Sequence, residues 1–241
     1  MIWRWLETWD GAPGFQMALD EALLLSRSPQ PVLRFYTWQP SALSLGYFQR
    51  FADVREVQSS SRVVRRLTGG GAIHHEDELT FAIAAPLDHP LYRGSVSESY
   101  TRVHAALAVA LLPLGVAASL REGARALSDR PGSGMCFHCS TAIDLVWDGR
   151  KGVGSAQRRT KGRVLHHGSI KLGRSDLEPR VATVRESSPD VTPRSLAELV
   201  RSAFSGHLGM SFVRSEPSRE ELAHAQDRAD FFESKVWLER R

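Results

Sequence analysis

A glycine-rich segment holds the highest density of ligand-binding residue types in this chain. Two arginines, a threonine hydroxyl and three consecutive glycines lie between Arg65 and Gly71. Glycines let a backbone approach a ligand closely, with bare N–H groups available to bind it. The segment lacks the Gly-Lys-Ser/Thr ending of a P-loop and the Gly-x-Gly-x-x-Gly of a dinucleotide-binding turn. It therefore predicts either a binding loop of another kind or a tight turn between two strands.

Two cysteines, Cys136 and Cys139, follow a loop rich in glycine and proline. A thiolate is a competent nucleophile toward a thioester, and nearby cations favour the thiolate form. A free cysteine also packs as a small apolar side chain, and the Cys-x-x-Cys spacing is compatible with a redox pair or half of a zinc site. Four histidines are available as further zinc ligands: His74, His75, His166 and His167. Nothing in the spacing requires a metal, so we expect none.

Composition indicates an ordinary globular protein. The chain has 241 residues, 42% of them hydrophobic, and a formal net charge of +4. It has no apolar run of the ~18–20 residues that cross a bilayer and no signal-peptide core, and two cysteines make no disulfide framework. We therefore expect a cytoplasmic protein without membrane association. Eight Lys and Arg residues and no Asp or Glu lie between Gly149 and Ser175. This stretch indicates a solvated face or a surface for an acidic protein, and it lacks aromatic residues for stacking nucleic-acid bases.

The elements that must position these residues alternate between strands and helices. Apolar periodicity and capping residues predict helices at 15–26 and at 96–112, the second beginning at the capping box Ser95–Glu98. Strands are expected at 32–38, 42–48, 62–67, 79–85, 116–120, 142–147, 150–156 and 164–172. Asp148-Gly149 is a strong signal for a two-residue hairpin turn. From about residue 177 the chain is expected to be mainly helical, with a helix starting at Thr192-Pro193 and another at Ser218–Glu221.

Ordered blocks over roughly residues 3–172 resemble the lipoate–protein ligase A and octanoyltransferase family, which attaches octanoyl or lipoyl groups to a carrier-domain lysine. The blocks are residues 17–24 and 33–49, the Arg-Arg-Leu-Thr-Gly-Gly-Gly-Ala-Ile-His-His of residues 65–75, residues 148–159 and residues 166–170. The resemblance implies an α/β (α+β) fold of the biotinyl/lipoyl-ligase type, with a mixed β-sheet flanked by helices. We expect one catalytic domain over residues 1–241, without a separate accessory domain.

The resemblance also assigns roles to individual residues. Cys136 and Lys151 are the implied catalytic pair: the cysteine accepts the acyl group, and the lysine hydrogen-bonds the acyl carbonyl, where a fixed ammonium stabilises developing negative charge. The position after the lysine is usually a larger aliphatic residue, but Gly152 stands here. The implied substrate-binding residues are Arg65, Arg66, Thr68, Gly69, Gly70, Gly71, His75, Gly154, Ser155, Ala156, His167 and Gly168. Since strand neighbours alternate faces, one of the two arginines is expected to face the pocket and the other to face away.

Three functions remain open at this stage. The favoured one is octanoyl or lipoyl transfer from acyl carrier protein through a Cys136 thioester to a lysine of a lipoyl domain, with no cofactor. Carrier domains of 2-oxoacid dehydrogenases and the glycine cleavage H protein are the expected acceptors. The second is an ATP- and Mg-dependent lipoate–protein ligase acting through an adenylate. The triple glycine resembles the corresponding loop of those ligases. The third is a non-catalytic relative that binds an acyl group or a partner. No nucleic-acid partner is expected.

Overall fold

A large mixed sheet and a smaller sheet organise the structure, a computed structural model that describes residues 1–57, 62–121, 123, 125–160 and 162–240. In chain order the strands are β1 (Ile2–Gly11), β2 (Val32–Trp38), β3 (Ala42–Leu45), β4 (Arg62–Arg65), β5 (Ile73–His75), β6 (Glu78–Pro86), β7 (Ser119–Leu120), β8 (Leu145–Trp147), β9 (Arg150–Thr160), β10 (Arg163–Lys171) and β11 (Ser211–Arg214). The large sheet has the order β11-β1-β2-β6-β10-β9-β8-β7, and the smaller sheet has the order β4-β3-β5. In the large sheet β1 pairs in parallel with β2 and β11, whereas each later pairing in the order, from β2-β6 to β8-β7, is antiparallel.

Helices cover both faces of the large sheet, as expected for this fold class. They are α1 (Pro13–Leu25), α2 (Val96–Leu111), α3 (Pro193–Leu208), α4 (Arg219–Glu233) and the short α5 (Lys235–Leu238). Alternation along β2 separates the two layers, because neighbouring side chains on a strand point to opposite faces. Phe35 packs in the core with α2 and α3, while Tyr36 packs in a second apolar cluster with α1 and α4. The predicted mixed sheet flanked by helices is confirmed.

Local signals place most helix starts and the main hairpin correctly. Capping boxes at Ser95–Glu98 and Ser218–Glu221 begin α2 and α4, and Thr192 caps α3. In each, the N-cap side chain accepts from a backbone N–H that has no partner inside the helix. Asp148 and Gly149 both have positive φ, at 50° and 69°, which is the backbone of a tight hairpin turn between β8 and β9.

Several expected boundaries differ from the structure. The first helix begins earlier than residue 15, because Pro13 fits its first turn. β3 ends at Leu45 rather than at residue 48, since the chain turns there with Gln49 N donating to Gly46 O at 3.0 Å. β8 begins at Leu145 rather than at residue 142, because Asp144 N donates to Thr141 O in a preceding turn.

The two strands at one edge of the large sheet, β1 and β11, were not anticipated. β1 lacks a regular alternation of buried and exposed residues, and β11 is a four-residue edge strand with no buried side chain. Neither pattern carries the period of two that identifies a half-buried strand.

Candidate functional site

The glycine loop (residues 67–72) connects β4 to β5 and is held by the side chain of Arg66. The Arg66 guanidinium donates to the carbonyl of Ser44 at 2.8 Å and to the carbonyls of Gly69 and Gly71 at 2.7 Å each. Gly70 has a φ of +94°, which residues with a side chain rarely adopt. Arg66 is buried and lies on the wall of a cavity beside the loop, so it both shapes the loop and faces the predicted pocket.

A second segment, the cysteine turn (residues 136–139), is joined to the glycine loop through main-chain hydrogen bonds. Ala72 N donates to Gly134 O at 2.8 Å, and Cys136 N donates to Ala72 O at 2.7 Å. The two backbones are so close that a Cβ atom on Gly71 would lie 2.7 Å from Gly134 O and 2.8 Å from Cys136 N. The third glycine of the loop is therefore needed to place Cys136.

Lys151 lies at the centre of a buried charged group beside Cys136. Its Nζ is 3.6 Å from Cys136 Sγ and 3.0 Å from Asp144 Oδ2, and it donates to the carbonyls of Cys136 at 3.0 Å and Cys139 at 3.2 Å. The residue is 2% exposed. Burial opposes its charge, but Cys136 and Asp144 together outweigh burial and raise the pKa of Lys151 above its ordinary value. The site thus holds a fixed ammonium within reach of a thiol.

Gly152, the departure from the family pattern, is explained by a neighbouring ring. A Cβ atom at position 152 would overlap the six-membered ring of Trp147, which lies across the hairpin. Trp147 is buried in the core and fills the space that a larger aliphatic residue would take. β9 pairs with β8 on both sides of this position, Lys151 with Val146 and Val153 with Leu145, and the register shifts between these two pairs, so Gly152 lies at a β-bulge next to Lys151.

Cys136 lies where a narrow tunnel meets an open cleft. The tunnel has a cavity volume of about 30 Å³ and is lined by residues of the glycine loop, β2, β6, β9 and β10. The cleft is wider and is bordered by residues 130–136, Cys139, Asp144 and Lys151. Five residues line both spaces: Gly69, Gly70, Cys136, Ser155 and Ala156. A group bound to Cys136 can therefore extend into the tunnel while its reacting end faces the cleft.

The floor of the tunnel is a straight row of cross-strand neighbours. Gly154 pairs with Ser169, Ser169 with Thr80, and Thr80 with Tyr36, so the row crosses β9, β10, β6 and β2 on one face of the sheet. A Cβ atom on Gly154 would lie 3.5 Å from Cys136 Sγ, which places the sulfur above the first member. Adjacent strands are about 4.8 Å apart, so the row is roughly 14 Å long.

The hydroxyl groups along this row are turned toward buried carboxylates. Ser169 Oγ donates to Glu78 at 2.5 Å, Thr80 Oγ1 donates to Glu78 at 2.6 Å, and Tyr36 donates to Asp20 at 3.0 Å. Their polar atoms are satisfied within the protein, which leaves carbon surface on the tunnel wall. The tunnel therefore suits an alkyl chain rather than a polar ligand.

Two of the implied histidines lie on the tunnel wall with both ring nitrogens occupied. His75 Nδ1 is 2.6 Å from Glu78 and its Nε2 is 2.7 Å from Ser44 Oγ. Burial lowers the pKa of His75 to about 4, so its ring is neutral near pH 7. His167 Nδ1 is 3.0 Å from Asp20, and its Nε2 is 2.5 Å from the hydroxyl of Thr68. The structure thus places Thr68 behind the wall, where it orients His167.

Ser155 is held between two buried histidines that are not part of the implied substrate-binding set. His104 Nδ1 faces the carbonyl of Ile143, which only accepts, so that nitrogen carries the proton and Nε2 accepts from Ser155 Oγ at 2.7 Å. His166 Nε2, 2.9 Å from Ser155 Oγ, must then be the donor. Burial lowers the pKa of His104 to about 4 and that of His166 well below its ordinary value. Ser155 therefore keeps one lone pair free to accept a hydrogen bond at the mouth of the tunnel.

Arg65 does not line the tunnel or the cleft. The substrate-binding role that the resemblance implied for it is therefore wrong. Its guanidinium donates to the carbonyls of Gly46 and Gln49 at 2.8 and 2.6 Å, and to those of Trp237 and Leu238 in α5. Trp237 Nε1 donates back to Arg65 O at 2.8 Å. As alternation predicted, Arg66 faces the pocket and its neighbour faces away. Arg65 joins the C-terminal helix to the strand that leads into the glycine loop.

The basic stretch is not a uniformly solvated face. Lys151 and Lys171 are buried and paired with carboxylates, and Arg150 and Arg174 both pair with Glu186. Lys161 lies outside the described residues. The prediction that this stretch forms a solvated face or a surface for an acidic protein is therefore wrong for Lys151 and Lys171, which are buried.

No group of three His, Cys, Asp or Glu side chains with the geometry of a metal site occurs in the described ranges. His75 and His167, considered above as zinc ligands, use their ring nitrogens for the hydrogen bonds of the tunnel wall. Among the helices that the structure describes, none is long and apolar enough to cross a membrane.

Sequence reasoning missed the partners that fix these functional groups. They are Asp20, Glu78, His104 and Asp144. Asp20 alone carried a signal, since a carboxylate within the apolar face of the first helix has to find a buried partner. It pairs with Arg34 at 2.5 Å.

Comparison with known proteins agrees with this fold. Residues 12–203 match the Lipoyl protein ligase A/B catalytic domain family. The Octanoyltransferase LipM of Moorella thermoacetica is 38% identical over 83% of this chain and 76% of its own length, and that of Staphylococcus epidermidis is 32% identical over 100% and 99%. A structure of a bipartite lipoate protein ligase and its E2 lipoyl domain from Thermoplasma acidophilum has the same fold, with a TM-score of 0.75 at 20% identity over 99% of this chain and 97% of that one. The chain belongs to the lipoyl protein ligase A/B catalytic domain family, and the predicted family is confirmed.

Proposed function

We propose that this enzyme moves an octanoyl group from acyl carrier protein to Cys136 and then to a lysine of a lipoyl domain. Octanoyl transfer in lipoate biosynthesis is the reaction class supported by the curated relatives, which are named octanoyltransferases. The observation that carries the proposal is the position of Cys136 Sγ, at the junction of an apolar tunnel and an open cleft and 3.6 Å from the Lys151 ammonium.

In the first half-reaction the Cys136 thiolate attacks the thioester carbonyl of octanoyl-acyl carrier protein. The Lys151 ammonium lies 3.6 Å from the attacking sulfur, and its pairing with Asp144 keeps the positive charge in a buried site. As negative charge develops on the carbonyl oxygen, the ammonium can exchange its 3.6 Å contact with Sγ for that oxygen. The carrier thiolate then leaves, and a new thioester of similar energy remains on Cys136.

In the second half-reaction the acceptor lysine enters through the cleft as a neutral amine and attacks the Cys136 thioester. Ser155 Oγ lies at this junction with one lone pair free, which suits an N–H of the incoming amine. Lys151 again faces the carbonyl oxygen, the C–S bond breaks, and the proton that the amine loses passes to the departing Cys136 sulfur, which leaves as a thiol. An amide is more stable than a thioester, so the transfer needs no ATP and we propose no cofactor.

The proposed partners are acyl carrier protein as donor and lipoyl domains as acceptors. The acceptors would belong to 2-oxoacid dehydrogenases or to the glycine cleavage H protein. A lipoyl domain is the partner named with the ligase from T. acidophilum. Arg50 and Arg130 border the cleft and would face an acidic carrier protein.

The triple glycine, which resembled the ATP-dependent ligases, has a local explanation that requires no nucleotide. Gly71 is a glycine because the main chain of Gly134 and Cys136 packs directly against it. The feature therefore no longer favours a ligase over a transferase.

Intact-mass spectrometry tests the proposal. Wild-type protein mixed with octanoyl-acyl carrier protein, without ATP, is expected to gain one octanoyl group that hydroxylamine removes, because the adduct is a thioester. Cys136→Ser is expected to show no such adduct and to lose transfer to a lipoyl domain. An unmodified wild type, together with pyrophosphate release that depends on ATP and lipoate, would contradict the transferase and support the ligase.

The far end of the tunnel makes a prediction about acyl-chain length. Tyr36 is the member of the floor row farthest from Gly154 and Cys136, and Trp38 and Met17 pack with it in one apolar cluster, so these three side chains lie at the far end of the tunnel. Met17→Ala is expected to move the preferred substrate from eight carbons toward ten or twelve, at a stability cost of about 2–5 kcal/mol. Transfer rates with a series of acyl-carrier-protein thioesters measure the shift.

A matched control separates tunnel length from loss of packing. Leu24 lies in the same helix and the same apolar cluster as Met17 but does not line the tunnel. Leu24→Ala is expected to lose comparable stability and to keep the wild-type chain-length preference. The same shift in both variants would show that the helix, and not the tunnel end, sets the preference.

A further inference from the structure

We propose that Cys136 and Cys139 are a peroxide-sensitive pair that forms a reversible disulfide across the cysteine turn. The inference rests on the proposed function in one respect, namely that Cys136 is the residue that carries the acyl group. It assigns a role to Cys139, which the acyl-transfer reaction does not use.

The backbone brings the two cysteines within bonding reach. Both are free, and they occupy the two ends of a single 3₁₀ turn, in which Cys139 N donates to Cys136 O at 3.2 Å. The ends of such a turn have Cα atoms less than about 7 Å apart, and a disulfide needs roughly 4.4–6.8 Å. Cys139 ends the turn as its C-cap in an extended conformation, and both cysteines border the same cleft.

The surroundings of the pair favour oxidation at Cys136 first. Its sulfur is half-buried and 3.6 Å from the Lys151 ammonium, whereas Cys139 is exposed. Peroxides react with thiolates, so the cysteine beside a fixed positive charge is the more susceptible of the two. Cys139 is then the thiol available to resolve the product.

The step is a two-electron oxidation in which a hydroperoxide is the oxidant. The Cys136 thiolate attacks one peroxide oxygen, the O–O bond breaks, and Cys136 becomes a sulfenic acid while water or an alcohol is released. The Cys139 sulfur then attacks the Cys136 sulfur, the S–S bond forms, and the hydroxyl leaves as water with the thiol proton. Two thiols have lost two electrons and two protons, and a dithiol reductant returns both.

The disulfide has two effects on the enzyme. It removes the nucleophile, so transfer stops while the bond persists. It also prevents the further addition of oxygen to Cys136. Without it, Cys136 would become a sulfinic or sulfonic acid, which thiols do not reduce. Cys139 therefore makes an otherwise permanent inactivation reversible.

Hydrogen peroxide treatment of the whole purified protein tests the pair. In the wild type we expect an unreduced peptide containing both cysteines that is lighter by two hydrogen atoms, a loss of both free thiols, and a loss of transfer that dithiothreitol reverses. Cys139→Ser is expected to lose transfer under the same treatment without recovery, as Cys136 gains two or three oxygen atoms.

The outcomes separate this inference from the proposed function. Oxygen addition at Cys136 with Cys139 still a free thiol, or disulfides between two copies of the chain, would overturn the pair. An intramolecular disulfide that leaves octanoyl transfer intact would instead remove Cys136 from the reaction, since the mass and thiol measurements do not depend on turnover.

Discussion

Replacing Lys151 by alanine is expected to lower octanoyl transfer by about 10²–10³-fold, the loss typical of removing one donor that stabilises a developing oxyanion. The ammonium lies 3.6 Å from Cys136 Sγ and is fixed by Asp144. The substitution also leaves the Asp144 carboxylate without its ion pair. Breaking a buried pair from one side costs about 3 kcal/mol. Initial transfer rates and urea unfolding measure the two effects separately.

A paired substitution separates catalysis from folding. Lys151→Met combined with Asp144→Asn removes both charges at similar volume, and we expect it to recover most of the lost free energy of unfolding. Transfer should stay as low as in Lys151→Ala. Recovery of transfer along with stability would show that the lysine is structural and that its charge does not act on the acyl carbonyl.

Gly71→Ala is expected to lower transfer by about a hundredfold by displacing the cysteine turn. The added methyl group would lie 2.7 Å from Gly134 O and 2.8 Å from Cys136 N, and main-chain atoms cannot rotate out of its way. A misplacement of about 1 Å at a reacting atom costs on this order. Transfer rates, together with the rate at which the thioester forms on Cys136, measure the displacement.

The first glycine of the same loop provides the control. A Cβ atom on Gly69 meets only the ring of Phe48, at 3.8 Å, which is an ordinary van der Waals distance. Gly69→Ala is therefore expected to cost far less transfer than Gly71→Ala. Equal losses in the two variants would mean that the conformation of the glycine loop matters and its contact with the cysteine turn does not.

Features that depend on neighbours in sequence were predictable for this chain. The Asp148-Gly149 turn and the capping boxes are short-range hydrogen-bonding and backbone preferences, and they appear in the structure at the expected residues. The family resemblance supplied the fold class and the glycine loop in the same way, because both are expressed in contiguous motifs.

Features that depend on distant neighbours were not predictable. Alternation showed that one of Arg65 and Arg66 faces the pocket, but the choice follows from the docking of α5, whose Trp237 lies more than a hundred residues away in sequence. Asp144 and His104 likewise acquire their roles from a lysine and a serine on β9. Such pairings are set by tertiary packing, which no local pattern encodes.

The packing of Trp147 over Gly152 limits which residues can occupy these two positions of the hairpin. The indole of Trp147 occupies the volume that a side chain at position 152 would need, so position 152 can gain a side chain only when position 147 carries a smaller residue. A hairpin transplanted from a relative with an aliphatic residue after its lysine would have to bring a smaller partner for position 147. Substitutions accumulated at these two sites in different lineages should therefore be incompatible when they are mixed, even though each is harmless in its own background.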